Sequence, residues 1–225
     1  MEKQKFEQIE AYMLSCMKDS AHDREHVRRV LHTALLIAGS ECDVDWDVLI
    51  CSALLHDIGR PEQFADPTLC HATVGGEKAY RFLVSNGYSQ SFAEKVRHCI
   101  VTHRFRVNCQ PESLEAKILF DADKLDAVGA MGIARSLLYQ GHEGIPIYTL
   151  TNDEISDGTG DEPDSFFREY RFKLEKLYDR FYTETGKALA QQRQKAAVDF
   201  YQALLQEVRQ SHSAGKATLE AVLIG

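Results

Sequence analysis

The stretch Val48-Leu49-Ile50-Cys51-Ser52-Ala53-Leu54-Leu55-His56-Asp57 decides the fold. Its apolar run, opened by the capping candidate Asp45 ahead of Trp46 and stopped by Gly59 and Pro61, predicts a helix from Trp46 to about Asp57, buried almost all round. The C-terminal end carries an imidazole and a carboxylate side by side, where the partial negative charge of a helix terminus favours a cation. His26 and Asp123 sit on neighbouring predicted helices. Neutral imidazole nitrogen and carboxylate oxygen are ligands that Mn, Fe, Co, Ni and Zn accept, so these four residues read together as one divalent-metal site.

Outward from this stretch, periodicity predicts helices and no strands. Val27, Val30, Leu31, Ala34, Leu35 and Ala38 follow the helical period behind Asp23 as N-cap, with His22 just ahead, and this places His26 in a first turn. His71 to about Asn86 reads as a helix closed by Gly87, and Ser89 or Ser91 opens another carrying His98 and His103. Pro111 precedes a helix from Ser113 through Val128, after which Gly129 and Gly132 loosen the chain before a short helix ending near Gly141. Residues 142–165 hold several Gly, Pro and acidic residues, a loop long enough to be either a lid at the site mouth or a disordered excursion. Two helices then return, Phe167–Thr183 and Lys187–Arg209, and the aromatic stripe of the first reads as packing. The tail from Ser211 either docks or stays loose. The expected fold is all-α, with a metal-binding helical core over 1–141, the loop 142–165, and a C-terminal helical extension over 166–225 packed on the same domain.

Composition narrows the partners. The 225 residues carry a net charge of −8, which argues against a nucleic-acid polymer but leaves room for a small phosphorylated substrate held by a metal and a few local cations. Cysteines at 16, 42, 51, 70, 99 and 109 form no C-x-x-C pair and read as reduced thiols, Cys51 and Cys99 as core packing. With no secretory leader and no apolar run near the roughly 20 residues of a membrane span, a soluble cytoplasmic protein is expected. Oligomeric state stays open.

The ordered pattern H…HD…D, completed by His26, His56-Asp57 and Asp123, resembles the HD superfamily of metal-dependent phosphohydrolases. The surrounding text agrees: His22-Asp23-x-x-His26-x-x-Arg29-Val30, Ala53-Leu54-Leu55-His56-Asp57-Ile58-Gly59, and Asp121-Ala122-Asp123-Lys124-Leu125-Asp126-Ala127-Val128-Gly129-Ala130. A weaker likeness continues through Phe167-Arg168 to Thr183-Glu184-Thr185-Gly186-Lys187 and Ala190. The resemblance implies an HD-domain helical bundle with additional C-terminal helices, in a single-domain bacterial branch similar to nucleoside-triphosphate pyrophosphohydrolases.

It further implies one divalent ion (Mn, Co, Ni, Fe, Mg or Zn) on His26, His56, Asp57 and Asp123, and an activated water that converts a (d)NTP to the (d)NMP and pyrophosphate. A nucleoside-monophosphate phosphatase and a nucleotide-binding sensor without turnover are the alternatives. The catalytic candidates are Asp57, Lys124 and Asp126, and the substrate-binding candidates are Lys124, His103, His71 and Arg60. For His103 a second-metal role stands beside substrate contact, and His71 could equally cap its own helix. Asp121 lies about 200° around its helix from Asp123, so one ion cannot take both. Asp123 is chosen because Asp126 shares its side and the resemblance places the ligand there; Asp123→Asn is expected to strip activity and Asp121→Asn to affect it mildly. Asp126 itself reads as a carboxylate behind a ligand, a base contact or one end of an ion pair. His98 reads as bland, and His32, His142 and His212 as structural.

Overall fold

A computed structural model describes residues 1–17, 24–104 and 109–223, so His22 and the expected cap Asp23 lie outside the described residues. Helices dominate, as expected. In chain order they are α1 (Lys3–Cys16), α2 (Arg24–Ala38), α3 (Trp46–Leu55), α4 (Arg60–Ala65), α5 (His71–Ser85), α6 (Gln90–Thr102), α7 (Leu114–Leu125), α8 (Gly129–His142), α9 (Phe166–Phe172) and α10 (Glu184–Leu223). None is long and apolar enough to cross a membrane.

Short polar side chains set several of the helix starts. Asp45 accepts the Val48 amide at 3.2 Å, Ser89 that of Phe92 at 3.2 Å, Ser113 that of Ala116 at 3.1 Å and Ser165 that of Arg168 at 3.1 Å. Within α3, Val48, Leu49, Cys51, Ser52, Ala53, Leu54 and Leu55 are all buried, and α1, α2, α5, α6 and α7 surround it. Each large aliphatic side chain hidden this way contributes about 1.5–3 kcal/mol, which makes α3 the element the others pack on.

The chain divides into two compact units. The first comprises residues 1–126 and 181–186 and contains α1 to α7. The second comprises residues 127–180 and 187–225, with α8, α9 and most of α10. In the first unit, the buried Asp121 binds the re-entering segment. Its carboxylate accepts the Tyr182 amide at 2.9 Å, the Thr183 amide at 2.7 Å and the Thr183 hydroxyl at 2.7 Å, while the Thr183 hydroxyl oxygen accepts the Gly186 amide at 3.0 Å as the cap of α10.

The second unit corrects several expectations. Gly129, at φ +67°, does not loosen the chain but begins the fourteen-residue α8. The loop 142–165 contains a small hairpin, Leu150–Thr151 paired antiparallel with Glu154–Ile155, where no strand was expected. Asn152 and Asp153 both take positive φ at its tip, the geometry of a tight primed turn. The loop is held by α10: Lys216 pairs with the Asp153 carboxylate, His212 contacts the Asp153 carbonyl at 2.9 Å and the Tyr201 hydroxyl donates to the Asp157 carbonyl. The expected helix from Phe167 to Thr183 stops at Phe172 and gives way to a single 3-10 turn, Leu174–Lys176, because the chain bends to bring the Tyr178 hydroxyl to the Gly129 amide at 3.0 Å. The tail from Ser211 prolongs α10 to Leu223, fourteen residues beyond the expected end at Arg209, and meets the hairpin through His212 and Lys216. Of the aromatic stripe, Phe166, Phe167 and Tyr170 pack as expected, with Tyr170 stacked on Tyr201 at 4.2 Å between ring centroids, whereas Phe172 is exposed.

Gly59 shows how closely the helices around the His56-Asp57 corner approach. A Cβ there would lie 2.3 Å from the His71 carbonyl oxygen and 2.6 Å from the Gly75 amide nitrogen, so only glycine lets α5 sit against this turn. Gly59→Ala is therefore expected to destabilise the protein by about 1–3 kcal/mol or more, read as a lowered midpoint of thermal unfolding. An unchanged midpoint would show that α5 yields freely.

Candidate metal centre

Five helix ends deliver the side chains. The first turn of α2 carries His26, the C-terminal end of α3 carries His56 and Asp57, the last turn of α7 carries Asp123 and Lys124, α5 begins with His71, and His103 follows the last residue of α6. His26, His56, Asp57, His71 and His103 are each at most 1% exposed.

The four residues expected to share one ion converge. His26 Nε2 lies 3.3 Å from His56 Nε2, 3.4 Å from Asp123 Oδ1 and 3.6 Å from Asp57 Oδ2, and His56 Nε2 is 3.7 Å from the same Asp57 oxygen. Two ligands about 2.1–2.2 Å from one ion and roughly at right angles to each other are separated by about 3 Å, so these gaps suit a shared cation.

The proton inventory supports this fit. His56 Nδ1 sits 2.8 Å from the Ala53 carbonyl oxygen, which only accepts, so Nδ1 carries the hydrogen and Nε2 of the neutral ring is a bare lone pair. His26 Nδ1 faces the Asp126 carboxylate at 2.7 Å and is bound by the same logic. When His26 is neutral as well, two lone pairs face one another across 3.3 Å. Beside them, Asp57 Oδ2 is buried without a hydrogen-bond partner. Native proteins rarely leave such an atom uncompensated, and a divalent cation satisfies both features at once.

The other oxygen of Asp57 faces a second group. Asp57 Oδ1 lies 3.4 Å from His71 Nε2, 3.7 Å from His103 Nε2 and 2.9 Å from the Arg60 Nε that donates to it. His71 Nε2 and His103 Nε2 again face one another at 3.3 Å. His103 Nδ1 donates to the Ile100 carbonyl at 2.5 Å and His71 Nδ1 lies 2.6 Å from the Gln63 side-chain oxygen, which leaves both Nε2 atoms bare. Ligand atoms of His26, His56 and Asp123, and separately of Asp57, His71 and His103, all lie within 4.8 Å of one another, so each trio is able to hold a metal ion.

Electrostatics keeps these groups in ligating form. Burial pushes the His56 imidazole down, and likewise His71 to about 2 and His103 to about 3. Burial alone would raise the Asp57 carboxyl, but His56 and Arg60 hold it well below the usual carboxylate range, and with His56 neutral the Arg60 cation is what acts near pH 7. Asp123, which burial would also raise, is held well below that range by Lys124, whose Nζ is 2.8 Å from its Oδ2.

The remaining candidates fall as follows. Lys124 is not free in solvent but pairs with Asp123 and lies over the Phe120 ring, 5.1 Å from its centroid. Arg60 begins α4 and is bound to Asp57. Asp126 meets His26 and Arg29. His98 joins none of the groups able to hold a metal among the described residues. Arg29 and Gln63 were missed; the spacing His26-x-x-Arg29 against Asp123-x-x-Asp126, one helical turn on each of two helices, was the available signal for Arg29.

Two outcomes follow. Asp121→Asn, with its carboxylate carrying the Tyr182–Thr183 segment rather than facing the ligands, is expected to cost about 2–3 kcal/mol in stability and leave metal affinity intact, while Asp123→Asn does the reverse. Calorimetric unfolding and metal titration of both variants read this directly, and a loss of metal affinity in Asp121→Asn contradicts it. The depressed imidazoles also fix a pH dependence. His71 and His103 are neutral in the folded chain down to about 2 and 3 but protonate near 6.5 when unfolded, so the unfolded state binds more protons in between. Stability of the chelator-treated protein is expected to be fully present above about pH 6.5 and to fall as the pH drops below it, and melting temperatures that are flat from pH 7 to pH 5 would refute the burial of neutral rings.

Comparison with known proteins places the arrangement. The HD domain family model matches residues 24–128. The YpgQ protein of Bacillus subtilis is 32% identical over 208 residues, covering 90% of this chain and 93% of that protein. A crystal structure of Bacillus subtilis YpgQ in complex with ADP superposes with a TM-score of 0.69 at 28% identity, over 90% of this chain and 97% of that one. A protein described as a predicted HD superfamily hydrolase, from an uncultured Thermotogales bacterium, gives 0.60 at 32% identity, over 91% and 92%.

Proposed function

Because the chain belongs to the HD superfamily of metal-dependent phosphohydrolases, we propose that its substrate is a ribo- or deoxyribonucleoside triphosphate, cleaved to the monophosphate and pyrophosphate. The observation that carries the nucleotide is the ADP held by the YpgQ relative. In this reading His26, His56, Asp57 and Asp123 hold one divalent ion, of which manganese suits the mixed nitrogen and oxygen set. Such an ion supplies Lewis acidity at a phosphoryl oxygen and a water activated for attack near neutral pH.

The chain's own residues then bind and orient. Asp57, kept ionised by Arg60, has no proton to give and acts as a fixed anionic ligand rather than a general acid. Lys124 divides its charge between Asp123 and an arriving phosphate, and Arg60, paired with Asp57, does the same there. His71 and His103 offer bare nitrogens behind Asp57. A second ion on Asp57, His71 and His103 is the alternative for that pair, favoured by the 3.3 Å opposition of their Nε2 atoms.

Product analysis with a panel of nucleotides and Mn, Mg, Co, Ni and Zn tests this reading. Pyrophosphate with nucleoside monophosphate is expected, and His56→Ala or Asp57→Ala is expected to lower turnover more than about 100-fold with helical content retained. Orthophosphate from a monophosphate would replace the substrate, and tight binding without any product would make the protein a sensor. Metal analysis separates the site models: two ions per chain, falling to one in His103→Ala, favours the second ion, and one ion unchanged by that substitution favours phosphate contact.

A further inference from the structure

Asp126 ends α7 one turn beyond Asp123, and the two carboxylates take opposite nitrogens of the same ring. Asp123 Oδ1 faces His26 Nε2 at 3.4 Å, and Asp126 Oδ2 faces His26 Nδ1 at 2.7 Å. Arg29, one turn after His26 on α2, grips Asp126 with both arms of its fork, Nε to Oδ1 at 2.8 Å and Nη2 to Oδ2 at 3.1 Å. Asp126 is 5% exposed. We infer that Asp126 and Arg29 form a positioning pair that fixes the rotation and tautomer of His26, presenting its Nε2 to the cation, and that Asp126 takes no direct part in the chemistry.

Each part has a distinct effect. A carboxylate can only accept, so it holds the hydrogen on Nδ1, and in the neutral ring the lone pair is then on Nε2, which faces Asp57 and His56. The Arg29 fork stops the carboxylate from turning and engages both of its oxygens, so neither is free to serve as a base for substrate or as a further ligand. Arg29 and His26 share one face of one helix, and Asp123 and Asp126 one end of another, so the packing of α2 against α7 sets ligand and support together. Replacing the carboxylate by an amide introduces a donor that can face Nδ1 and favour the tautomer with hydrogen on Nε2, where it blocks the ion.

This inference rests on the reading of His26 as a metal ligand, and the test separates the two. Zn²⁺, being diamagnetic, serves as the probe for both a competition titration and NMR of the ¹⁵N-labelled full chain. In the wild-type protein loaded with Zn²⁺, a downfield His26 Nδ1–H resonance protected from solvent exchange is expected. In Asp126→Asn that resonance should be lost or exchange-broadened, and the Zn²⁺ Kd should rise about 10- to 100-fold. A protected resonance and an unchanged Kd in Asp126→Asn, with binding abolished in His26→Ala, overturns the positioning role alone. An unchanged Kd in both variants overturns the ligand reading beneath it. Should Asp126→Asn fail to fold, the wild-type spectrum still decides, because absence of a protected His26 Nδ1–H there refutes the inference.

Discussion

The carboxylate of Asp57 is the group on which the arrangement depends. Its side chain has no exposure, and an ion taken that far from water costs several kcal/mol unless its surroundings compensate. Arg60 compensates on one side only, leaving Oδ2 without a partner between two imidazoles and Oδ1 beside two more. The ends of α3, α2, α5 and α6 meet at this atom pair. The apolar helix α3 holds His56 and Asp57 at its end by sheer burial, and the missing side chain at Gly59 lets α5 bring His71 close.

Three aspartates at the end of α7 divide the remaining work by direction alone. Asp121 points to the Tyr182–Thr183 segment, Asp123 to the ligand cluster and Asp126 to the far side of His26. A helix turns about 100° per residue, so positions two apart diverge while positions three apart stay neighbours, and one short segment can serve both the fold and the metal centre. Acid chemistry is correspondingly unavailable to Asp57 and Asp123, both held ionised, which suits them to hold positive charge rather than to donate a proton.

Much of this was legible in the sequence because local rules decide it. The apolar run before His56 forecast burial, and Asp45, Ser89 and Ser113 forecast helix starts that the capping hydrogen bonds realise. The end of α10 was not legible, since residues beyond Arg209 are mostly exposed and give no apolar periodicity to mark where the helix stops. The hairpin at 150–155 escaped because two residues per strand leave almost no alternation to detect. The split of Asp57 between two imidazole pairs escaped for another reason: the direction of its oxygens is set by Arg60 on α4 and by the approach of α5 and α6, which a linear pattern does not encode.

Anomalous diffraction at the manganese edge, from crystals of the full chain grown with Mn²⁺, tests the central claim most directly. A peak bonded to His26 Nε2, His56 Nε2, Asp57 Oδ2 and an Asp123 oxygen is predicted, at roughly 2.0–2.3 Å from each. A fully occupied peak elsewhere, or one at this corner with Asp57 Oδ2 outside its coordination sphere, would contradict it.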